Sequence, residues 1–168
     1  MSKNEYLVLS QGGEPLLTAR ETGGVSLLAS KVRSFEIAVY NTNNEKVIEL
    51  VRPYTVGADK LRVAVRGHAV GVVRREPTLL KPLLVLHDAG GKPALRVKGP
   101  ALTEGQCDFN ILNPRKQNVG VIRKRWGGVS PAADEDKYQV SFPVDLDLGL
   151  KAALIGTCIL IDFLYFES

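Results

Sequence analysis

The sequence is poor in the residues that most chemistry needs: two cysteines, two histidines, one tryptophan and one methionine in 168 residues. Cys107 and Cys158 are too few for a disulfide framework, so the expected compartment is reducing. His68 and His87 have no ligand-type neighbours at metal spacing and read as turn or strand-end residues. There is no Gly-x-Ser-x-Gly elbow, no His-Glu-x-x-His and no Cys-x-x-Cys. Gly90-Gly91-Lys92-Pro93 is a hairpin turn, since no helix follows to hold a phosphate. No constellation suits covalent or acid–base catalysis, and the chain reads as a non-enzyme. MSKNEYLVLS has no apolar run of signal-peptide length, and neither an acylation start nor a prenylation box occurs. Cytosol, or the cytoplasmic face of a membrane, is the expected location.

An excess of charge of one sign is also lacking. A net charge of +4 permits anionic lipid as a partner without demanding it, and gives little reason to expect nucleic acid. Hydrophobic content of 45% and charged content of 24% are globular values, and residues 1–168 read as one domain.

What the sequence does have is period-two patterning. Tyr6–Leu9, Leu16–Leu17, Phe35–Val39, Val47–Leu50, Leu61–Val65, Val70–Val72, Leu83–Leu86, Ala94–Val97, Phe109–Leu112, Val119–Ile122 and Tyr138–Phe142 read as short strands. Gly12-Gly13, Asn41–Asn44, Arg66-Gly67, Asp88–Gly91 and Asn113-Pro114 fall between them as hairpin turns. The expectation is mainly β, with about eleven strands over residues 5–142.

One segment breaks the pattern. FPVDLDLGLKAALIGTCILIDFLYFES, from Phe142 to Ser168, predicts a helix over 146–166 that is apolar on every side. Such a helix is enclosed by protein or by lipid. Leu148 to Phe166 would span roughly 28 Å, borderline for a bilayer. Lys151 and Asp162 share one face, Asp145 reads as the N-cap, and Asp147 with Lys151 as an i,i+4 ion pair. Gly149, Ala152, Ala153 and Gly156 let neighbours approach the backbone. Asp162 near the end of a span is costly in lipid and cheap at the mouth of a barrel. A meander that closes to remove its edges could hold this helix. The favoured reading is therefore a helix buried in a barrel, with a membrane span as the alternative.

These segments resemble the phospholipid scramblases nearly end to end. Asn4-Glu5-Tyr6 through Arg20-Glu21 is similar to the family's "NKYxI…GQxVYxAxE", and SFEIAVYNTNNEKVIELVRP (34–53) to "PFxLxIxDxxGxEVIxLxRP". VKGPALTEGQCDFNI (97–111) resembles "GPC…DFxI", and GVIRKRWGGV (120–129) resembles "GKIxKxWxG". FPVDLDLGLKAALIGTCILIDFLYFE (142–167) resembles "FPLDLDxxxKAxxxGACFLIDFxxFE". The resemblance implies a tubby-like fold, a closed twelve-stranded antiparallel barrel around the buried C-terminal helix. It implies a membrane-associated protein that moves phospholipids between leaflets in response to calcium, without covalent chemistry. The chain reads as a short member. The family's proline-rich tail has no counterpart, and Tyr54–Lys60 stands where its palmitoylated cysteine cluster is expected. Those departures keep a second reading open: a soluble tubby-like adaptor or nuclear cofactor that binds phosphoinositides or proteins.

Three candidate sites follow. The family's calcium segment maps to 134–145, with Asp134, Asp136, Tyr138, Val140, Phe142 and Asp145 at ligand positions. Carboxylates at positions 1, 3 and 12 suit a hard cation, although Gln139 stands where an EF-hand needs glycine and Asp145 where it needs glutamate. A solvated loop followed by a strand and a helix cap explains the same residues, and any calcium affinity is expected to be weak. The second site is basic: Arg115, Lys116, Arg123, Lys124 and Arg125 with Trp126, joined by Arg62, Arg66, Arg74, Arg75 and Lys81. It is expected to face anionic headgroups, or by resemblance an importin-type receptor that would carry the protein into the nucleus. The third is the central helix itself, marked by Leu148, Lys151, Gly156, Asp162 and Phe166. Oligomerisation in lipid is one route by which such a chain could give a headgroup a path.

Overall fold

Four turns share one construction. Ser10, Asn41, Asp88 and Asn113 each open a five-residue reversal in which their carbonyl accepts from the fourth residue, at 2.9–3.0 Å. The same side chains accept from the fifth residue's N–H at 2.9–3.1 Å. This is local side-chain capping of a turn by short polar residues. The fourth residue is left-handed every time: Gly13 (φ 85°), Asn44 (59°), Gly91 (82°) and Lys116 (61°). Glycine and asparagine tolerate that region, whereas lysine pays for its Cβ. Arg66 and Gly67, both at positive φ, form a two-residue hairpin turn.

The computed structural model describes residues 5–24, 33–55, 57–101, 108–125 and 137–166, with only the backbone of Arg125 and Lys137. Between the turns run β1 (Glu5–Leu9), β2 (Pro15–Gly23), β3 (Phe35–Asn41), β4 (Lys46–Arg52), β5 (Lys60–Val65) and β6 (His68–Glu76). They continue as β7 (Leu83–Asp88), β8 (Pro93–Lys98), β9 (Asp108–Leu112), β10 (Asn118–Arg125) and β11 (Lys137–Ser141). All eleven join in chain order into one antiparallel sheet. This meander sends the tight turns to one end of the sheet and the longer connections to the other.

The helix enters at the tight-turn end. A turn closed by Leu146 N–H on the Pro143 carbonyl (3.1 Å) delays its start, and α1 runs Leu148–Ile161 before a π-turn at Asp162–Phe166. Asp147, not Asp145, is the N-cap; its Oδ2 accepts from the Leu150 N–H at 3.3 Å. The expected Asp147–Lys151 ion pair does not form either. Lys151 Nζ donates instead to the Val144 carbonyl at 2.7 Å. That bond ties the last loop to the first helical turn.

Side chains from around the sheet reach the helix. Phe35 on β3 meets Phe163 edge-on at 5.2 Å, Leu50 on β4 and Leu61 on β5 meet Gly156, and Phe109 on β9 meets Tyr165 at 6.1 Å. Tyr138 on β11 lies 6.3 Å from Phe166. Inward residues of the strands and Leu154, Leu160 and Ile161 of the helix form one buried cluster. The sheet therefore curls around the helix. Its edges are β1 and β11, and no hydrogen-bonded ladder joins them among the described residues. Backbone hydrogen bonds among the described residues therefore do not close the sheet into the expected barrel.

Candidate functional site

Leu148–Phe166 is long and apolar enough to cross a membrane, yet most of it is buried inside the sheet. Leu148 marks the outer end, 69% exposed. Gly156 marks the tightest contact: a Cβ there would sit 2.9 Å from Leu50 Cδ2 and 3.0 Å from Leu61 Cδ2. At the far end Asp162 accepts from Tyr6 Oη through Oδ2 (3.2 Å) and from Tyr138 Oη through Oδ1 (2.7 Å). One carboxylate thus holds both edge strands, β1 and β11, to the helix. One turn below it, burial and the Asp162 charge push the Cys158 thiol up to about 12.

The calcium segment lies only partly within the described residues. Asp134 and Asp136 lie outside the described residues. Tyr138 is engaged with Asp162, Val140 and Phe142 pack on the core, and Asp145 is exposed before the helix. Among the described residues no cluster of three or more metal-ligating side chains exists.

The basic segment does not form one face. Arg115 and Lys116 sit exposed in the β9–β10 turn. Arg123 Nε donates to both Asp108 carboxylate oxygens at 3.0 and 3.1 Å. Lys124 points the other way and is buried, its Nζ 4.1 Å from the Phe166 ring centre and 5.6 Å from that of Tyr138. Strand alternation separates it from Arg123. The Arg125 side chain and Trp126 lie outside the described residues.

A different basic face exists on the outside of β5–β8. Leu61, Val73, Leu84, Leu86, Leu95 and Val97 point into the core. Their neighbours Lys60, Arg62, Arg74, Arg96 and Lys98 therefore point outward. Register lines up Lys60, Arg74, Val85 and Arg96 across four consecutive strands, with Arg62 and Lys98 in adjoining rows. Val85 is almost fully buried even though it faces out, covered by flanking side chains. None of these five cations makes an ion pair among the described residues, whereas Arg20, Arg66 and Arg123 are paired with Glu5, Glu45 and Asp108. Sequence reasoning found Arg62 and Arg74 but missed Lys60, Arg96 and Lys98. The alternation of Lys60 with Leu61 and Arg96 with Val97 is the signal that could have found them.

A buried ionic cluster was also unforeseen. Arg52 and Asp59 are both buried and paired, and Arg75 Nε reaches the other Asp59 oxygen at 3.0 Å. Arg52 and Arg33 stack over the Phe163 ring at 4.7 and 4.9 Å. Burial raises the Tyr165 hydroxyl's pKa, partly opposed by Arg75. The cluster anchors the helix's last turn, where the backbone dipole favours cations.

Comparison with known proteins agrees with the segments identified above. A family model described as Scramblase matches residues 2–168. The chain is 31% identical over 150 residues to phospholipid scramblase 1 of Homo sapiens, covering 81% of this chain and 47% of that protein. It is 33% identical over 106 residues to human phospholipid scramblase 4, covering 60% and 32%. Human phospholipid scramblase family member 5 is 29% identical over 182 residues, covering 99% and 67%. The chain thus spans less than half the length of the first two of these relatives. No solved structure matches it.

Proposed function

The chain belongs to the scramblase family, and from that premise we propose that it docks on anionic membrane through the outer face of β5–β8. Docked there, it takes part in moving phospholipids between leaflets, with no bond made or broken. The observation that carries this is the row Lys60–Arg74–Val85–Arg96. Like charges directly opposite on neighbouring strands are unfavourable, and a layer of lipid phosphates relieves them. Each cation near an anionic surface is worth about 1 kcal/mol. Five would suffice for salt-sensitive attachment.

Two finer features belong to the same reading. The sheet closes as a tubby-like barrel; the bonds from Tyr6 and Tyr138 to Asp162 support this, because they bring the two edges to one carboxylate. Calcium acts through segment 134–145, supported by the spacing of Asp134, Asp136 and Asp145. Calorimetric titration with calcium should then give a weak exothermic site that Asp145→Ala abolishes.

The enclosed helix favours a second reading, a phosphoinositide-binding module that does not itself scramble. One experiment separates the two. The protein is added to vesicles of phosphatidylserine and phosphatidylcholine, and both sedimentation and dithionite-accessible fluorescent lipid are measured. Binding that is lost in Lys60→Glu/Arg74→Glu/Arg96→Glu but kept in Arg115→Glu/Lys116→Glu supports the docking face. Binding with no gain in lipid exchange favours the module.

A further inference from the structure

The connection between β6 and β7 carries two leucines at its tip, Leu79 (101% exposed) and Leu80 (80% exposed). Such exposure has no packing explanation. The loop is also built to hold the pair outward. Pro77 and Pro82 bracket it and restrict its backbone. Thr78 Oγ1 donates to the Lys81 carbonyl across the tip, and the Pro82 carbonyl accepts from Gly99 N–H at 2.9 Å. A recess of about 260 Å³ lies against the loop, lined by Leu79 and Leu80 themselves together with Arg75, Lys81 and Tyr165.

Its surroundings say what the pair meets. Lys81 follows the leucines directly, and Arg74 leads into the loop along β6. Lys98 lies opposite Leu83 at the loop's return, and Glu76 is the one acidic residue in the stretch from Arg74 to Leu83. An exposed apolar tip ringed by cations matches a bilayer with anionic headgroups, in which leucines enter the acyl boundary while lysine and arginine stay at phosphate depth.

We propose that the Leu79–Leu80 tip is a membrane-inserting wedge, so that the end of the sheet bearing the helix C-terminus faces the bilayer. This rests on the docking reading above and adds an orientation and an apolar anchor to it. Charge brings the protein to the surface, and the leucines slow its departure.

The test uses the full chain with phosphatidylserine–phosphatidylcholine vesicles. Leu79→Ser/Leu80→Ser should weaken vesicle binding by about tenfold or more, since both substitutions give up apolar surface that the acyl boundary removes from water. Binding by the variant should remain salt-sensitive. In parallel, Leu80→Cys in a Cys107→Ser/Cys158→Ala background is labelled with an environment-sensitive dye. The dye should brighten and shift to the blue on adding anionic vesicles and not on adding pure phosphatidylcholine. If the wild type binds vesicles, the double variant binds equally well and the dye stays in water, the wedge is overturned while the basic face survives. A blue shift without vesicles that grows with protein concentration would mean the tip meets a second copy, and would overturn it too. Failure of the wild type to bind at low salt would overturn the docking reading, and the wedge with it.

Discussion

Replacing Asp162 by asparagine leaves one acceptor oxygen where two phenols now donate to a carboxylate. Hydrogen bonds to charged groups contribute about 1.5–3 kcal/mol, so Asp162→Asn should lower urea stability by about 1–3 kcal/mol. Tyr6→Phe combined with Asp162→Asn should then cost less than the sum of the two singly, which a double-mutant cycle reads directly. Cys158 gives a prediction in pH. Its thiol is raised from 9.0 to about 12 in the folded protein, so the fold binds that proton more tightly than the unfolded chain does. The associated stability is intact below pH 9 and is lost as the pH climbs toward about 12. Cys158→Ala should show a shallower alkaline loss, and the wild-type thiol should resist iodoacetamide at neutral pH. Lys116, left-handed at φ 61°, is a site where glycine should raise stability by about 0.5–1 kcal/mol.

Gly156 is where helix and sheet press hardest, and its replacement is a test at the scale of elements. Gly156→Val must displace Leu50 and Leu61, and overpacking of this kind costs about 1–3 kcal/mol. Gly156→Ala should come close to neutral, because helix propensity gains about 1 kcal/mol against a contact with flexible side-chain ends. Thermal unfolding of both variants reads the difference. Elements were largely legible in the sequence because the hairpins carry their own signals: Asn41 and Asp88 cap turns that Asn44 and Gly91 then finish, and Asn113-Pro114 marks a third. The capping residue was misread by two residues. Asp145 and Asp147 both fit locally, and only the bond from Leu146 to Pro143 decides between them. Lys124 was misread for a similar reason. Three consecutive basic residues suggest one surface, and burial of Ile122 sends Lys124 inward with it. The Lys60–Arg74–Arg96 row was missed for another cause. Alternation turns each of these residues outward, but their alignment depends on the register of four successive strands, which alternation alone does not fix.

At the scale of the molecule, the helix decides how the protein meets a membrane. Its apolar faces are already occupied by the sheet, and Asp162 holds both sheet edges to its last turn. Leaving for lipid would strip the core of every strand at once. On the proposed docking, the whole fold sits at the membrane surface, with β5–β8 toward the phosphates and the β6–β7 tip in the boundary. Raising the salt should weaken attachment steeply, since exposed charges are screened within about 8–10 Å at moderate ionic strength. The measurement that bears most directly on this is a carbonate wash of protein already bound to anionic vesicles at low salt. Release to the supernatant, with the fold's stability unchanged afterwards, is the predicted result. Protein that stays with the lipid would mean that Leu148–Phe166 has left the sheet and crossed the bilayer, contradicting the account.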